Sequence, residues 1–539
     1  MRLIKAGIMN LYKKNLKVLV LEPPMQLPIF DKAKPNGSLG PAYLIGALRK
    51  SGIEVDYLDA TVGLEGADLK NTFYRRRELE NGNITYGMNN EELMEVIAKY
   101  DIVATSSIFT VQTRMHFEMA RLIKTVSKKS NKKILAICGG VNARALREHF
   151  LSNGFDIIGL ADGERTIVQI AEQFSSDTPD WNKVERIAYR ENGKTIITSA
   201  PVRKSTKFID VPLPAIDAFP LDVYQTLGGQ NAGISIAHSP GLKYAGIQTS
   251  RGCQDKCTFC HISLEKQETD LVGNMGFLRM FSKEKISEGV DNAVNLGIKR
   301  LYFEDDNLFF NKKRLYELAS HLKRTGLKYS NVNGANLRFM VNKVGNRYET
   351  DHEFINMLSS FGLDDLMLPF ETRSKEMMQK YATGKYDPDE MNPIGILNAV
   401  KKAGITARSN FLIGFRDETW ESVLATKEFA KTLFQEGLDQ AAFGIPVPYP
   451  GTLDFEAEMK KSDVKKDFHE NLFQYTDHMH PRGLPLFHTK VHGEKLLGAV
   501  KSFWEELNEA KYVNVSSATN LDSSDTNLTP VADHRDAYN

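Results

Sequence analysis

Cysteine is scarce in this chain, with four in 539 residues. So few thiols exclude a disulfide framework as the source of stability. An excess of charge is missing too: 69 Lys and Arg stand against 68 Asp and Glu. That balance leaves no basic footprint of the kind that draws a protein to nucleic acid, and no nucleic-acid partner is expected. No apolar run approaches the roughly 18 residues that span a bilayer, and the N-terminus lacks the roughly 7 to 15 apolar residues of a signal peptide. The expectation is a cytoplasmic protein without a membrane span, peripheral membrane contact being left open. The length of 539 residues allows two or three domains, each able to bury a core.

Three of the four cysteines fall within eight residues, in the stretch Ser250-Arg251-Gly252-Cys253-Gln254-Asp255-Lys256-Cys257-Thr258-Phe259-Cys260. Thiolates at Cys253, Cys257 and Cys260 can hold three irons of one cubane cluster and leave the fourth iron without a protein ligand, open for chemistry. Gly252 suits a loop that must turn tightly. A structural zinc site completed by His261 would need a second Cys or His half, and none follows at finger or ribbon spacing. The motif, with the aromatic Phe259 before its last cysteine, resembles the cluster motif of the radical S-adenosylmethionine enzymes. The resemblance implies a 4Fe-4S cluster on these cysteines and S-adenosylmethionine at the open iron. Such a cluster is oxygen-sensitive and needs a reducing compartment.

Upstream, Leu16 to Glu22 is a short apolar run that reads as a buried parallel strand, Leu39 to Ser51 has helical periodicity, and Ile53 to Leu58 is a second strand. A charged, weakly patterned region from Glu65 to Asn90 interrupts the alternation. Strands resume at Ile102 to Ser106, Lys133 to Cys138 and Asp156 to Leu160, with helices between. This alternation predicts an α/β domain built on a doubly wound parallel sheet, with its ligand at the C-terminal ends of the strands. A strand ending in Asp59, the Ser106-Ser107-Ile108 turn, Cys138-Gly139-Gly140 and Gly163-Glu164-Arg165-Thr166 together resemble the cobalamin-binding domain that precedes many radical enzymes. The resemblance implies a Rossmann-like fold holding cobalamin beside Ser106, Gly139, Gly140, Gly163 and Glu164, where small residues leave room for the nucleotide tail. Fold alone does not supply the cofactor, since Gly-Gly after a strand is common in α/β domains. No Asp-x-His-x-x-Gly offers a histidine to cobalt. His116 and His149 read as ordinary, partly exposed helical residues, and Cys138 as an inert core thiol.

Residues 180 to 248 carry a hairpin turn at Tyr189 to Gly193 and then a passage with Pro212, Pro214 and Pro220 that reads as a linker. From Tyr244 to Thr249 a new sheet begins, and strands recur near Arg300 to Phe303, Ser330 to Asn333, Asp365 to Leu368, Ala407 to Ile413 and Gln440 to Ile445, with helices between. Six such units fit the partial (β/α)6 barrel that the radical-enzyme resemblance implies. Segments at its strand ends resemble that family's binding motifs. Phe303-Glu304-Asp305-Asp306-Asn307 resembles the segment that holds the amino group of S-adenosylmethionine, through Glu304, Asp305 and Asp306. Glu371 would contact the amino acid or ribose portion, and Arg408 the carboxylate. Gly414 to Glu418 resembles the loop that cradles adenine, and Pro446 to Thr452 the turn that closes the sixth strand.

The expected organisation is a cobalamin-binding-like domain over 1–180, a linker over 181–242, the radical barrel over 243–460, a small helical region over 461–514 and a tail without fixed structure over 515–539. His469, His478, His480, His488 and His492 in the helical region read as surface residues rather than a second metal site. Together the resemblances imply a cobalamin-dependent radical enzyme that methylates an unactivated carbon of a small molecule, lipid or peptide. A reducing partner such as flavodoxin or ferredoxin supplies its electron. Radical oxidative cyclisation or carbon-carbon bond formation without methyl transfer is the alternative on the same scaffold. Methylthiotransfer would call for three N-terminal cysteines, where the chain has only Cys138. A non-catalytic corrinoid or redox sensor is the alternative of another class, and it would need an output module that the sequence does not show.

Overall fold

The computed structural model of the protein describes residues 16–28, 37–202, 211–227, 242–477 and 490–518. The chain divides into two compact units. The first comprises Met1–Gly229, His261–Lys285 and Tyr449–Gly483; the second comprises Gln230–Cys260, Ile286–Pro448 and Leu484–Asn539. Among the described residues no helix is long and apolar enough to cross a membrane.

The first unit is built on β1 (Lys17–Glu22), β2 (Met25–Pro28), β3 (Glu54–Asp59), β4 (Arg76–Glu78), β5 (Asn83–Tyr86), β6 (Ile102–Ser106), β7 (Leu135–Gly139), β8 (Ile157–Gly159), β9 (Ile187–Glu191) and β10 (Lys194–Ile197). Seven of these strands form one sheet in the order β10-β9-β8-β7-β6-β1-β3. β3, β1, β6, β7 and β8 run parallel, and β9 and β10 are antiparallel additions at one edge. Strand register explains the core. Val18 pairs with Ile102 and Ile102 with Leu135, while Val20 pairs with Ala104 and Ala104 with Ile137, so all six present one apolar face. Ile45 and Leu48 of the helix Leu39–Lys50 and Ile167 and Ile170 of the helix Gly163–Phe174 cover that face. Each aliphatic side chain so buried contributes about 1.5 to 3 kcal/mol.

Three expectations need correction here. The segment from 181 onward is not a linker at its start. β9 and β10 extend the sheet through a tight turn at Asn192 and Gly193, whose φ angles of 50° and 77° suit a two-residue hairpin. The prolines after it pack back on the same unit. Ala215 N donates to Ala42 O at 2.9 Å, and the Tyr224 hydroxyl donates to Asp59 Oδ2 at 2.7 Å. The weakly patterned stretch after Glu65 also folds, as an antiparallel sheet of order β2-β5-β4. Arg76–Glu78 offers no apolar residue to betray a strand, because β4 only edges the buried β5. His116, lastly, is not exposed. It is 3 % accessible, and its Nδ1 lies 3.2 Å from Thr105 Oγ1.

Burial pushes the His116 imidazole down to about 3. An unfolded histidine takes its proton near pH 6.5. Between those values the unfolded state binds the extra proton. This group's contribution is complete above about pH 6.5 and is lost as the pH falls, at up to about 1.4 kcal/mol per pH unit. His116→Asn is expected to flatten the drop in urea midpoint between pH 7 and pH 5, measured by circular dichroism.

The second unit holds β11 (Tyr244–Ile247), β14 (Arg300–Phe303), β15 (Lys328–Asn331), β18 (Leu363–Glu371), β19 (Thr406–Leu412) and β20 (Gln440–Gly444) as one six-stranded parallel sheet. Neighbours in the sheet follow chain order, and helices such as Lys312–Thr325 and Pro393–Lys402 form the crossovers. This is the expected partial (β/α)6 arrangement, open between β11 and β20. The two-residue strand β12 (Ser250–Arg251) and a hairpin of β16 (Val341–Val344) and β17 (Arg347–Thr350) also belong to this unit, while the two-residue strand β13 (Arg279–Met280) belongs to the first. Stacked rings tie the later strands together: Phe370 on Phe411 at 6.4 Å and Phe411 on Phe443 at 5.3 Å between ring centres.

The expected helical C-terminal region is divided between the units. Helices Ser462–Glu470 and Leu472–Thr476 belong to the first and Gly493–Ala518 to the second. Residues 515–518 therefore close a helix, and the rest of the expected tail lies outside the described residues, as do His478, His480 and His488.

Candidate functional site

β11 ends at Ile247, and the chain then enters the cysteine loop at the C-terminal end of the sheet. Two carboxylates from the segment after β14 fix the start of that loop. Asp305, fully buried, accepts from Thr249 N at 3.1 Å, Thr249 Oγ1 at 2.6 Å and Ser250 Oγ at 2.6 Å. Burial drives its carboxyl up and these donors hold it down, with a net rise. Asp306 Oδ2 accepts from Gly252 N at 2.7 Å. Gly252 has φ of 80°, a turn that favours glycine.

The far side of the loop is held by residues that sequence reasoning missed. Asp255 accepts from Asn336 Nδ2 at 2.6 Å and pairs with Arg338 at 3.0 Å. Lys256 N and Thr258 N donate to the carbonyls of Thr383 and Tyr381 at 3.3 and 3.0 Å. Phe259 packs into a small apolar cluster with Met377, Tyr381 and Phe415. These partners sit more than 75 residues beyond the motif, where no local pattern announces them.

The three cysteines form no disulfide among the described residues, and Cys257 is the most buried of them. Burial pushes its thiol up to about 12, and the Lys385 ammonium is the largest influence against that rise. Cys253 Sγ accepts from Asp255 N at 3.4 Å and from Asn307 Nδ2 at 3.8 Å. The neighbouring Gln254 amide is buried with neither nitrogen nor oxygen partnered. Buried amides are seldom left so, and its state suits a loop shaped around a bound group. Among the described residues no three His, Cys, Asp or Glu side chains gather to hold a single metal ion. A cubane makes a different demand, because each thiolate reaches its own iron and the ligands stand further apart.

The other expected cofactor-binding residues of the second unit divide. Glu371, at φ 55°, is 4 % exposed and forms an ion pair with Lys385. Burial opposes the charge on Lys385, but Glu371 and the Cys257 and Cys260 sulfurs outweigh it, and its pKa is raised. Glu304 lies at the end of β14, where its carbonyl accepts from Gln248 Nε2 at 3.3 Å. Glu418 is fully buried and accepts from Gly414 N at 2.6 Å and Phe415 N at 3.2 Å, so it shapes the turn from within. Gly414 has φ of 83°, and a Cβ there would stand 2.5 Å from Leu496 Cδ1. Arg408 departs from expectation. It is 2 % exposed, and its guanidinium grips both oxygens of Asp365 at 2.6 and 2.7 Å. This internal pair occupies the fork that a cofactor carboxylate would need.

In the first unit, β6 and β7 end side by side, Ser106 in register with Gly139. A Cβ on Gly139 would meet nothing within 4 Å, so the sheet edge there is open. A Cβ on Gly140, at φ 90°, would stand 2.4 Å from the carbonyl oxygen of Ser107. Asn142 Nδ2 donates to Ser107 Oγ and Thr113 Oγ1, both at 2.9 Å, and fixes that turn. The open glycine edge fits the flat tail of a corrinoid. Gly163 has a packing duty instead: a Cβ there would stand 2.7 Å from Leu44 Cδ2. Glu164, 8 % exposed, lies in the first turn of the same helix. Gly140→Ala puts a side chain in a left-handed turn against a carbonyl, at a strain cost of about 1 to 3 kcal/mol. It is expected to lose corrinoid on desalting, read from visible absorbance.

A six-stranded open parallel barrel that carries three spaced cysteines after its first strand defines the class of radical S-adenosylmethionine enzymes. Residues 247–430 match the family model of the Radical SAM superfamily, and residues 35–171 match that of the B12 binding domain. The chain belongs to the cobalamin-dependent radical S-adenosylmethionine enzymes, which join these two domains, and its cofactors are a 4Fe-4S cluster, S-adenosylmethionine and cobalamin. It is 24 % identical over 450 residues to an uncharacterised methyltransferase of Pyrococcus horikoshii, covering 81 % of this chain and 82 % of that one. It is 22 % identical over 502 residues to the cytidylyl-2-hydroxyethylphosphonate methyltransferase of Streptomyces wedmorensis, covering 86 % and 85 %. Its fold is similar to that of the methyltransferase TsrM from Kitasatospora setae, with a TM-score of 0.58 at 15 % identity over 83 % of this chain and 76 % of that one. The cobalamin-dependent radical enzyme OxsB is similar too, with a TM-score of 0.59 at 18 % identity, and the match spans 84 % of this chain and 56 % of OxsB.

Proposed function

We propose that the protein is a methyltransferase that acts on an unactivated carbon of a small molecule, lipid or peptide. The observation that carries this reading is the presence in one chain of a braced Cys-x3-Cys-x2-Cys loop and an open glycine edge on a B12-binding sheet. Cys253, Cys257 and Cys260 would hold the cluster, and Asp305, Asp306, Asn336 and Arg338 would keep their loop rigid. With Asp305 and Asp306 bonded to that loop, the amino group of S-adenosylmethionine falls to the Glu304 strand end. Glu371 borders the same mouth, and the Gly414 turn, shaped by Glu418, would receive adenine. Ser106, Gly139 and Gly140 would line the corrinoid tail. Bound there, the cofactors would supply a 5′-deoxyadenosyl radical and a transferable methyl group. A low-potential flavodoxin or ferredoxin would deliver the electron.

The test is anaerobic reconstitution with iron, sulfide and hydroxocobalamin, followed by incubation with S-adenosylmethionine and dithionite in the presence of candidate substrates. One four-iron cluster, about one corrinoid, and 5′-deoxyadenosine formed together with S-adenosylhomocysteine support methyl transfer. A cluster without corrinoid, or 5′-deoxyadenosine without S-adenosylhomocysteine, would overturn it in favour of oxidative chemistry.

A further inference from the structure

We infer that the segment from His261 to Lys285 couples cluster loading to corrinoid binding, because two ion pairs tie it to the turns that border the glycine edge of the first unit. The inference rests on the reading of Cys260 as a cluster ligand and of the Gly139-Gly140 turn as the corrinoid edge. The cysteine loop as far as Cys260 belongs to the second unit, and His261 to Lys285 belong to the first. Whatever fixes the backbone of Cys260 therefore fixes the entry to this segment, one peptide bond away.

The first tie is buried. His261–Glu265 is a helix of five residues and Val141–Ala145 is another, and neither is long enough to hold its shape alone. Glu265 Oε1 joins them. It accepts from Arg144 Nη2 at 2.5 Å and lies 3.0 Å from His261 Nδ1, with the Arg144 and Glu265 side chains 4 % and 2 % exposed. Backbone bonds carry the tie on to the glycine edge: Arg144 N donates to Gly140 O at 3.0 Å, and Asn142 N donates to Ser107 O at 3.1 Å. One carboxylate thus meets both the residue after the last cysteine and the helix that opens at Gly140. The second tie is the pair of Arg279 with Asp162, which lies just before the helix Gly163–Phe174 in the turn that follows β8. β8 borders the same edge, since a Cβ on Gly159 would stand 3.8 Å from Gly139 Cα.

Between the ties the segment is closely packed. A Cβ on Gly276 would stand 2.8 Å from both the Ile262 carbonyl oxygen and Lys266 N, and Arg144 Nη1 reaches Met275 Sδ at 3.6 Å. A shift at His261 is therefore passed to both turns. Three free thiols impose no common geometry on their loop, whereas a cluster does. Loading the cluster then orders the glycine edge, and corrinoid in turn favours the loaded loop, since coupling between two binding sites is reciprocal. Glu265 is a positioning residue here, because its effect on the corrinoid passes through Arg144 and the Gly140 turn.

The test compares the parent with Arg144→Met/Glu265→Leu, which removes both charges so that neither is left buried alone. Each protein is prepared without oxygen, with and without its cluster, and iron assay confirms the loading. Affinity for methylcobalamin is measured by equilibrium dialysis in the dark, without S-adenosylmethionine. The cluster is expected to tighten binding to the parent by roughly five- to tenfold, within the usual range for coupled sites, and to leave the affinity of the double variant unchanged. A role in stability alone would weaken both forms alike and preserve the ratio. Equal affinities in the two forms of the parent, or the parental ratio in the double variant, would overturn the inference. If the double variant does not fold, Asp162→Asn decides: a lowered ratio supports the coupling and an unchanged one defeats it. A parent that takes up no iron is a distinct result, which removes Cys260 as a ligand and the inference with it.

Discussion

Cys257→Ala, reconstituted without oxygen, is expected to lose the visible absorbance of the cluster and all production of 5′-deoxyadenosine, while still retaining corrinoid. The cysteine is 5 % exposed in a loop bonded on both flanks, at Gly252 by Asp306 and at Thr258 by Tyr381. No other thiol can replace it within that loop. Cys138, the remaining cysteine, lies fully buried on β7 in the first unit. Its thiol is pushed up to about 12 by burial. Cys138→Ala is the matching control: it removes one small buried side chain, at a cost of about 1 kcal/mol, and should leave iron content and cleavage untouched. Iron assay and product chromatography on the two variants check the pair. A Cys257→Ala protein that still cleaved S-adenosylmethionine would defeat the proposed ligand set.

The largest loss of stability is expected from Arg408→Met. Arg408 and Asp365 keep 3 % and 4 % of their side chains exposed, and the guanidinium meets the carboxylate through two bonds across β18 and β19. Removing the cation strands a buried carboxylate. Breaking such a pair from one side costs about 3 to 5 kcal/mol, whereas replacing both partners by apolar groups of similar volume is often nearly neutral. Urea unfolding of the second unit should therefore shift strongly for Arg408→Met and recover in the double variant Arg408→Met/Asp365→Leu. Since the fork faces Asp365, the double variant is also expected to keep its affinity for S-adenosylmethionine.

The contrast between these two sites shows where the sequence was legible. The cysteine motif is local, and its meaning survives without knowing what surrounds it. The parallel strands were equally plain, because Val18 to Leu21 or Ile102 to Ala104 are runs that only a doubly covered strand needs. Arg408 was placed on the correct strand and given the wrong partner, because a strand position fixes the face and not what lies across it. Asp305 and Asp306 were read as acids waiting for an ammonium group. They are bonded to the cysteine loop, more than 50 residues earlier. Lys385 was passed over entirely: a lysine after a glycine in a loop looks like any solvated lysine until the chain has folded. β4 was missed for a related reason. It is a short strand at the edge of its sheet, and an edge strand can be half solvated and so carries no strict alternation.

The first unit is assembled from three separated stretches, and two buried carboxylates make the later stretches indispensable. Glu265 meets Arg144 at 2.5 Å, the two side chains 2 % and 4 % exposed, and Asp477, 2 % exposed, meets Arg114 at 2.6 Å. A chain emerging from the ribosome carries Arg114 and Arg144 long before Glu265 and Asp477 exist. The sheet can pair early, but Arg144 waits for Glu265, near the middle of the chain, and Arg114 waits for Asp477, where roughly the last eighth begins. Synthesis order thus delays completion of the corrinoid-binding half until after the cysteine loop has been translated. A fragment cut at residue 229 would carry Arg114 and Arg144 without Asp477 and Glu265.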